Sequence, residues 1–169
     1  MQQYELRPLR QEDDSAIARV IRQTLEEFGA ARPGTVYTDP TTDHLSQLFN
    51  RPDAAYFVIE EAGTILGGCG IFPTEGLPNG CTELVKLYLR TDARGKGLGR
   101  KLMEHCIEAA RRMGFNKLYL ESMPELNQAV ALYEKMGFVR QCAPLGNSGH
   151  FTCSIWMTRS IDEPNLGNV

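Results

Sequence analysis

Residues 90–106, RTDARGKGLGRKLMEHC, place glycine at every second position (Gly95, Gly97, Gly99) among the basic residues Arg94, Lys96, Arg100 and Lys101. An apolar run, TELVKLYL (82–89), precedes the segment. Beyond it Leu98, Leu102, Cys106, Ala109, Ala110 and Met113 recur at helical spacing until Gly114. A strand, a glycine turn and a helix in succession require a sheet with a helix packed on its face. The N-terminus of such a helix exposes unpaired N–H groups and about half a positive charge, and glycine lets an anion come close because no Cβ intervenes. The segment is therefore predicted to cradle the phosphates of a ligand rather than to form a flexible turn with a solvated basic face.

The usual nucleotide loops do not fit. G-x-x-x-x-G-K-[ST] fails because Arg100 stands five positions after Gly95. G-x-G-x-x-G fails because the third glycine comes one residue early and the strand follows an antiparallel meander instead of opening the domain.

That meander is read from alternation and turn residues. YELRPL is a short strand. Asp13 or Asp14 can cap a helix whose Ile17, Val20, Ile21, Leu25 and Phe28 share a face, and Gly29 ends it. GAARPGTVYTDPTT is a loop, DHLSQLF a short helix, and AAYFVIEEAGTILGGCGIF a hairpin turning at Glu61 to Gly63. After the loop PTEGLPNG and the central strand and helix, NKLYLES is a strand and NQAVALYEKM a helix stopped by Gly137. FVRQCA and FTCSIWMT are strands on either side of PLGNSGH. The order β-α-α-β-β-β-α-β-α-β-β predicts an α/β (α+β mixed) fold, a mixed sheet with helices on its faces.

A chain of 169 residues has room for one domain, taken as residues 1–160, with 161–169 a flexible C-terminal tail. Its net charge of -3 argues against general nucleic-acid binding, which runs on surplus Lys and Arg. Five cysteines (Cys69, Cys81, Cys106, Cys142, Cys153) form no C-x-x-C pair and read as reduced thiols in a cytoplasmic protein. His44, His105 and His150 show no ligand spacing, so no metal is expected. No signal peptide or membrane-spanning run is seen.

Arg94-Gly95-Lys96-Gly97-Leu98-Gly99 matches [Q/R]-x-x-G-x-[G/A], the coenzyme signature of the GCN5-related N-acetyltransferase (GNAT) family. NQAVALYEKMGF (127–138) resembles that family's N-x-x-A-x-x-x-Y-x-x-x-G-F segment with one residue of slack at the alanine. With the element order, the resemblance covers roughly residues 3–158. It implies a single GNAT-like domain with a mixed, mostly antiparallel sheet splayed between its fourth and fifth strands and flanked by helices.

The resemblance also implies acetyl-CoA as co-substrate, with its pyrophosphate on the backbone of Arg94, Gly95, Lys96, Gly97, Leu98, Gly99 and Arg100. The pantetheine arm would pair beside KLYL, at Leu87, Tyr88 and Leu89. Asn127 would contact the coenzyme, or simply cap its helix. Tyr133 would contact it too and act as general acid at the departing sulfur, or be an aromatic core residue. Glu83, where the histone-modifying branch carries its catalytic Glu, is either a buried base or a solvated edge residue. His150, in PLGNSGH, and Tyr37, in the first loop, are candidates for contact with the acceptor; an imidazole titrates near neutrality and can also serve as base.

The implied activity is transfer of acetyl to a primary amine of a small molecule or peptide by direct attack in a ternary complex. A ping-pong route through Cys81 is an alternative, and a silent acetyl-CoA sensor or adaptor is the reading from another class. Partners are acetyl-CoA and an amine acceptor, without nucleic acid or membrane, and the family resemblance allows a homodimer.

Overall fold

Alternating apolar runs in the first half of the chain pair as an antiparallel meander of β1 (Tyr4–Pro8), β2 (Ala55–Glu61), β3 (Thr64–Phe72) and β4 (Cys81–Leu89). The structure, a computed structural model, describes residues 3–162. The crossover helix α3 (Leu98–Arg112) brings β5 (Lys117–Ser122) parallel to β4. Antiparallel β7 (Ile155–Ser160) and β6 (Val139–Gln141) complete a seven-stranded sheet in the order β1-β2-β3-β4-β5-β7-β6. The remaining helices are α1 (Asp14–Glu27), the single turn α2 (Leu45–Leu48) and α4 (Asn127–Lys135). Among the described residues no helix is long and apolar enough to cross a membrane.

Two cores result, one on each face of the sheet. Ile17, Ile21 and Leu25 of α1 pack with Tyr56 and Val58; Leu98, Leu102 and Met103 of α3 pack with Phe57, Ile59 and Ile71. Val130 and Tyr133 of α4 join the second core.

The glycines of β3 have a steric cause. A Cβ on Gly67 would stand 2.2 Å from the Tyr88 carbonyl, and one on Gly70 would stand 2.6 Å from the Tyr56 ring. Only glycine lets Tyr56 and Tyr88 lie against the strand between them.

β4 carries a bulge. Gly68 pairs with Tyr88 but Gly70 with Val85, so β4 has one residue more than β3 across this stretch, and Lys86 sits at φ 53. The Tyr56 hydroxyl donates to the Lys86 carbonyl at 2.8 Å and holds the distorted peptide. A bulge bends its strand, and β4 and β5 pair only at Cys81↔Lys117, Thr82↔Leu118 and Glu83↔Tyr119 before diverging. The sheet is thus split between its fourth and fifth strands, as the sequence resemblance implied.

Four expectations are corrected. β7 starts at Ile155, not Phe151, because Thr152 donates its N–H and hydroxyl to the Gly34 carbonyl and draws 151–154 into a loop. Neither aspartate caps α1 through its side chain. Asp13 takes the Arg7 guanidinium at 2.7 Å and the Arg10 N–H at 2.8 Å, and Asp14 accepts from Ser46. Met113 lies beyond α3 and is 37% exposed. Ile161, placed in the tail, is fully buried and donates its N–H to the Asn116 carbonyl; residues 163–169 of that tail lie outside the described residues.

Candidate active site

The glycine turn links the split to α3. Gly95 and Gly97 have φ 73 and 75, and a Cβ at either would meet nothing within 4 Å, so glycine is needed for the left-handed backbone and not for room. Gly97 is the N-cap of α3 and its carbonyl takes the Lys101 N–H; the N–H groups of Leu98, Gly99 and Arg100 therefore open the helix without intrahelical partners. A Cβ on Gly99 would stand 3.1 Å from Leu132, which marks the close approach of α4.

A cleft of about 480 Å³ runs from Gly95 and Gly97 past Leu87 and Leu89 to Leu132 and Lys135. The charges differ from the simple basic patch read from sequence. The Arg94 guanidinium is bound by Glu27 at 2.8 and 3.0 Å, donates to the Leu89 carbonyl at 3.0 Å and lies 4.9 Å from the Phe28 ring centroid, so its charge is matched on α1. Lys96 is exposed and lies off the lining, whereas Arg94, Arg100 and Lys135 line the cleft. Asn127 is the exposed first residue of α4 and neither lines the cleft nor caps the helix, Leu126 being at the N-cap position.

Leu87, Tyr88 and Leu126 also wall a second, narrower cavity of about 50 Å³ deeper in the split. It brings together Glu83 and Lys86 from β4, Glu121 from β5, Tyr133 from α4, and His150 and Cys153 from the loop between β6 and β7. Glu83 is buried, not on a solvated edge, with 4% exposure. Burial pushes its carboxyl up to about 7; the Thr74 hydroxyl, which donates to it, and the Lys86 charge oppose the shift, while Glu121 adds to it. Burial also raises the Tyr133 hydroxyl, so that it stays protonated and able to donate.

Three loops close this cavity. His150 Nε2 lies 3.2 Å from Asp39, while Ser148 donates to Glu121, which also accepts the Tyr119 hydroxyl at 2.6 Å. Burial would raise the Asp39 carboxyl, but hydrogen bonds from Thr41 and His150 hold it below the ordinary range. Asn147 donates its N–H to Glu75, fastening the same loop to the segment after β3.

Tyr37 is not brought into the cavity: its hydroxyl donates to Glu26 at 2.7 Å on α1, and Thr35 and Val36 line the site in its place. Cys81 lies at the paired end of β4, outside both linings, with its thiol raised by burial. Sequence reading missed Lys86, Glu121, Asp39 and Cys153. Glu121 had a usable signal, since it is two residues after Tyr119, the partner of Glu83. Burial pushes the Cys153 thiol up to about 12, with Glu121 and Glu83 adding, so it is a neutral wall and not a thiolate.

The model of the acetyltransferase (GNAT) family matches residues 20–138. The chain is 43% identical over 157 residues to YjgM of Escherichia coli K12, an uncharacterized N-acetyltransferase, covering 92% of this chain and 94% of that one. An acetyltransferase of the GNAT family from Staphylococcus aureus Mu50 superposes with a TM-score of 0.84 at 14% identity, covering 95% of this chain and 100% of the other. The PaiA N-acetyltransferase of Thermoplasma acidophilum, in complex with coenzyme A, superposes with a TM-score of 0.71 at 17% identity over 94% and 99% of the two chains.

Proposed function

This chain belongs to the acetyltransferase (GNAT) family, and from that premise we propose that it transfers the acetyl group of acetyl-CoA to a primary amine of a small molecule by direct attack in a ternary complex. One observation carries the reading. Leu87, Tyr88 and Leu126 wall both the cleft that begins at the glycine turn and the cavity that holds Glu83 and Tyr133, so the two spaces share a boundary inside the split.

The residues present suit acetyl-CoA. The free N–H groups of Leu98, Gly99 and Arg100 would hold the pyrophosphate, joined by the backbone of Arg94 to Gly97 and the side chain of Arg100. Leu87 and Leu89 lie on the stretch of β4 that β5 no longer pairs, which suits an extended, amide-rich arm. When bound, acetyl-CoA supplies the activated acetyl thioester.

Glu83, with a carboxyl near 7, would take a proton from the acceptor ammonium at neutral pH. Tyr133, kept protonated by burial, would donate to the sulfur as the bond to it breaks. These opposed environments, a carboxyl poised to ionise and a phenol prevented from doing so, separate the base from the acid. His150 would position the acceptor from the loop side, tied as it is to Asp39. The five cysteines, all unpaired, support a cytoplasmic location.

The test is calorimetric titration with acetyl-CoA of the parent and of Gly97→Glu, followed by a mass-resolved screen of amines. Glutamate at Gly97 sets a negative charge at the N-terminus of α3 and forces a left-handed backbone on a side chain. Saturable binding by the parent, its loss in the variant and an acetylated amine are expected. No binding by the parent would refute the proposal.

A further inference from the structure

Lys86 is buried, and its ammonium has no directly bonded partner among the described residues. Its residue is 9% exposed and it lines the inner cavity, yet among the described residues its ammonium makes no hydrogen bond and no ion pair. Asp39 and Glu83 act on it only through space, because Asp39 is engaged by Thr41 and His150, and Glu83 by Thr74. Burying an ammonium in this state is costly, and burial accordingly lowers its proton affinity. The residue sits at the bulge, whose carbonyl Tyr56 holds, and lies in the cavity wall. The cavity wall thus holds an ammonium that no side chain bonds directly, together with the carboxyls of Glu83 and Glu121.

We infer that Lys86 binds a carboxylate of the acceptor, so that the amine acetylated belongs to a small amino acid with its carboxylate free. This rests on the transferase reading above and specifies its substrate class. An acceptor ammonium suits Glu83 and Glu121, a carboxylate suits Lys86, and the zwitterion leaves the cavity close to its original charge. Size points the same way. A water needs roughly 10–15 Å³, so a cavity of about 50 Å³ accepts roughly three to five such groups, the bulk of an amino and a carboxylate group on one carbon. A peptide N-terminus offers the amine but has an amide where the carboxylate is required.

The experiment compares kcat/KM for small L-α-amino acids with that for their amides and for the corresponding decarboxylated amines, in the parent and in Lys86→Met. Product is read by mass so that the protein's own thiols do not interfere. In the parent, loss of the carboxylate is expected to lower kcat/KM by roughly tenfold to a hundredfold, the range for a lost charge-assisted hydrogen bond. In Lys86→Met the ratio is expected to fall toward one, with the acetyl-CoA Kd unchanged. Amides or amines used as well as the acids by the parent overturn the inference, and so does a carboxylate preference that survives in Lys86→Met. The parent comparison stands even if the variant does not fold.

Should nothing be acetylated, calorimetry of the amino acids against the protein saturated with coenzyme A decides separately. Amino-acid binding that Lys86→Met abolishes upholds the carboxylate site while transfer falls. No amino-acid binding overturns the site.

Discussion

Replacing Glu83 with glutamine moves stability and turnover in opposite directions. The folded carboxyl keeps its proton up to about 7, against an ordinary value of 4.5. Between those values the folded state binds more protons than the unfolded one, so stability declines as pH rises through this window and levels off above it. The penalty for ionising the buried group is about 1 kcal/mol at pH 5 and about 3 kcal/mol at pH 8, from the two pKa values and the linkage relation.

Glutamine has nearly the same shape, keeps an oxygen for the Thr74 hydroxyl and never ionises. Relative to the parent, Glu83→Gln is therefore expected to gain about 2 kcal/mol between pH 5 and pH 8, a Tm difference that grows by roughly 4–8 °C. Over the same range kcat/KM of the parent is expected to rise to a plateau with an inflection near 7. The variant loses that limb and roughly a hundredfold or more in turnover. Thermal melts and steady-state kinetics across pH 5–8.5 check both. A Tm difference independent of pH would refute the burial argument, and an acid limb near 7 retained by the variant would remove Glu83 as the base.

Tyr56→Phe leaves the buried Lys86 carbonyl without its donor and is expected to cost about 1–3 kcal/mol, read by thermal or denaturant unfolding. If that hydroxyl shapes the bulge, the variant also loses discrimination for the acceptor while acetyl-CoA affinity in calorimetry is retained. Tyr133→Phe keeps the ring in its buried site against Phe138 and is expected to lower kcat by roughly tenfold or less, because a departing thiolate is a weak base that needs only a hydrogen bond. A loss of a thousandfold would mean that full proton transfer from Tyr133 limits the rate.

Much of this architecture was legible in the chain. Helical spacing from Leu98, the alternation of 55–72 and the stops at Gly29, Gly114 and Gly137 are local signals, and each element they predicted formed. The glycine turn was legible for the same reason: left-handed backbone at Gly95 and Gly97 is a property of those residues, and its effect at the start of a helix needs no distant partner. Less legible were side chains whose fate depends on contacts remote in sequence. Arg94 lines the cleft as expected, but its ion pair with Glu27, 67 positions away, could not be read from its neighbours in sequence. Tyr37 looked like part of the acceptor loop until Glu26 drew it outward. Glu83 carried two open readings because burial is decided by what covers a strand, and three separate loops cover this one.

The sequence by itself determined the order of strands and helices, the left-handed glycine turn that opens α3 and the presence of a carboxyl and a phenol along the way. Tertiary structure alone decided which way β4 faces. Strict alternation would set Leu84 opposite Leu87 and Leu89, yet all three pack with α3, while Val85 and Tyr88 pack toward α1. The extra residue at Lys86 reverses the parity of the strand. Nothing local to KLYL encodes that reversal. It depends on the Tyr56 hydroxyl, 30 positions earlier, and on the β3 glycines that let Tyr56 and Tyr88 come close, so it exists only once three strands have assembled.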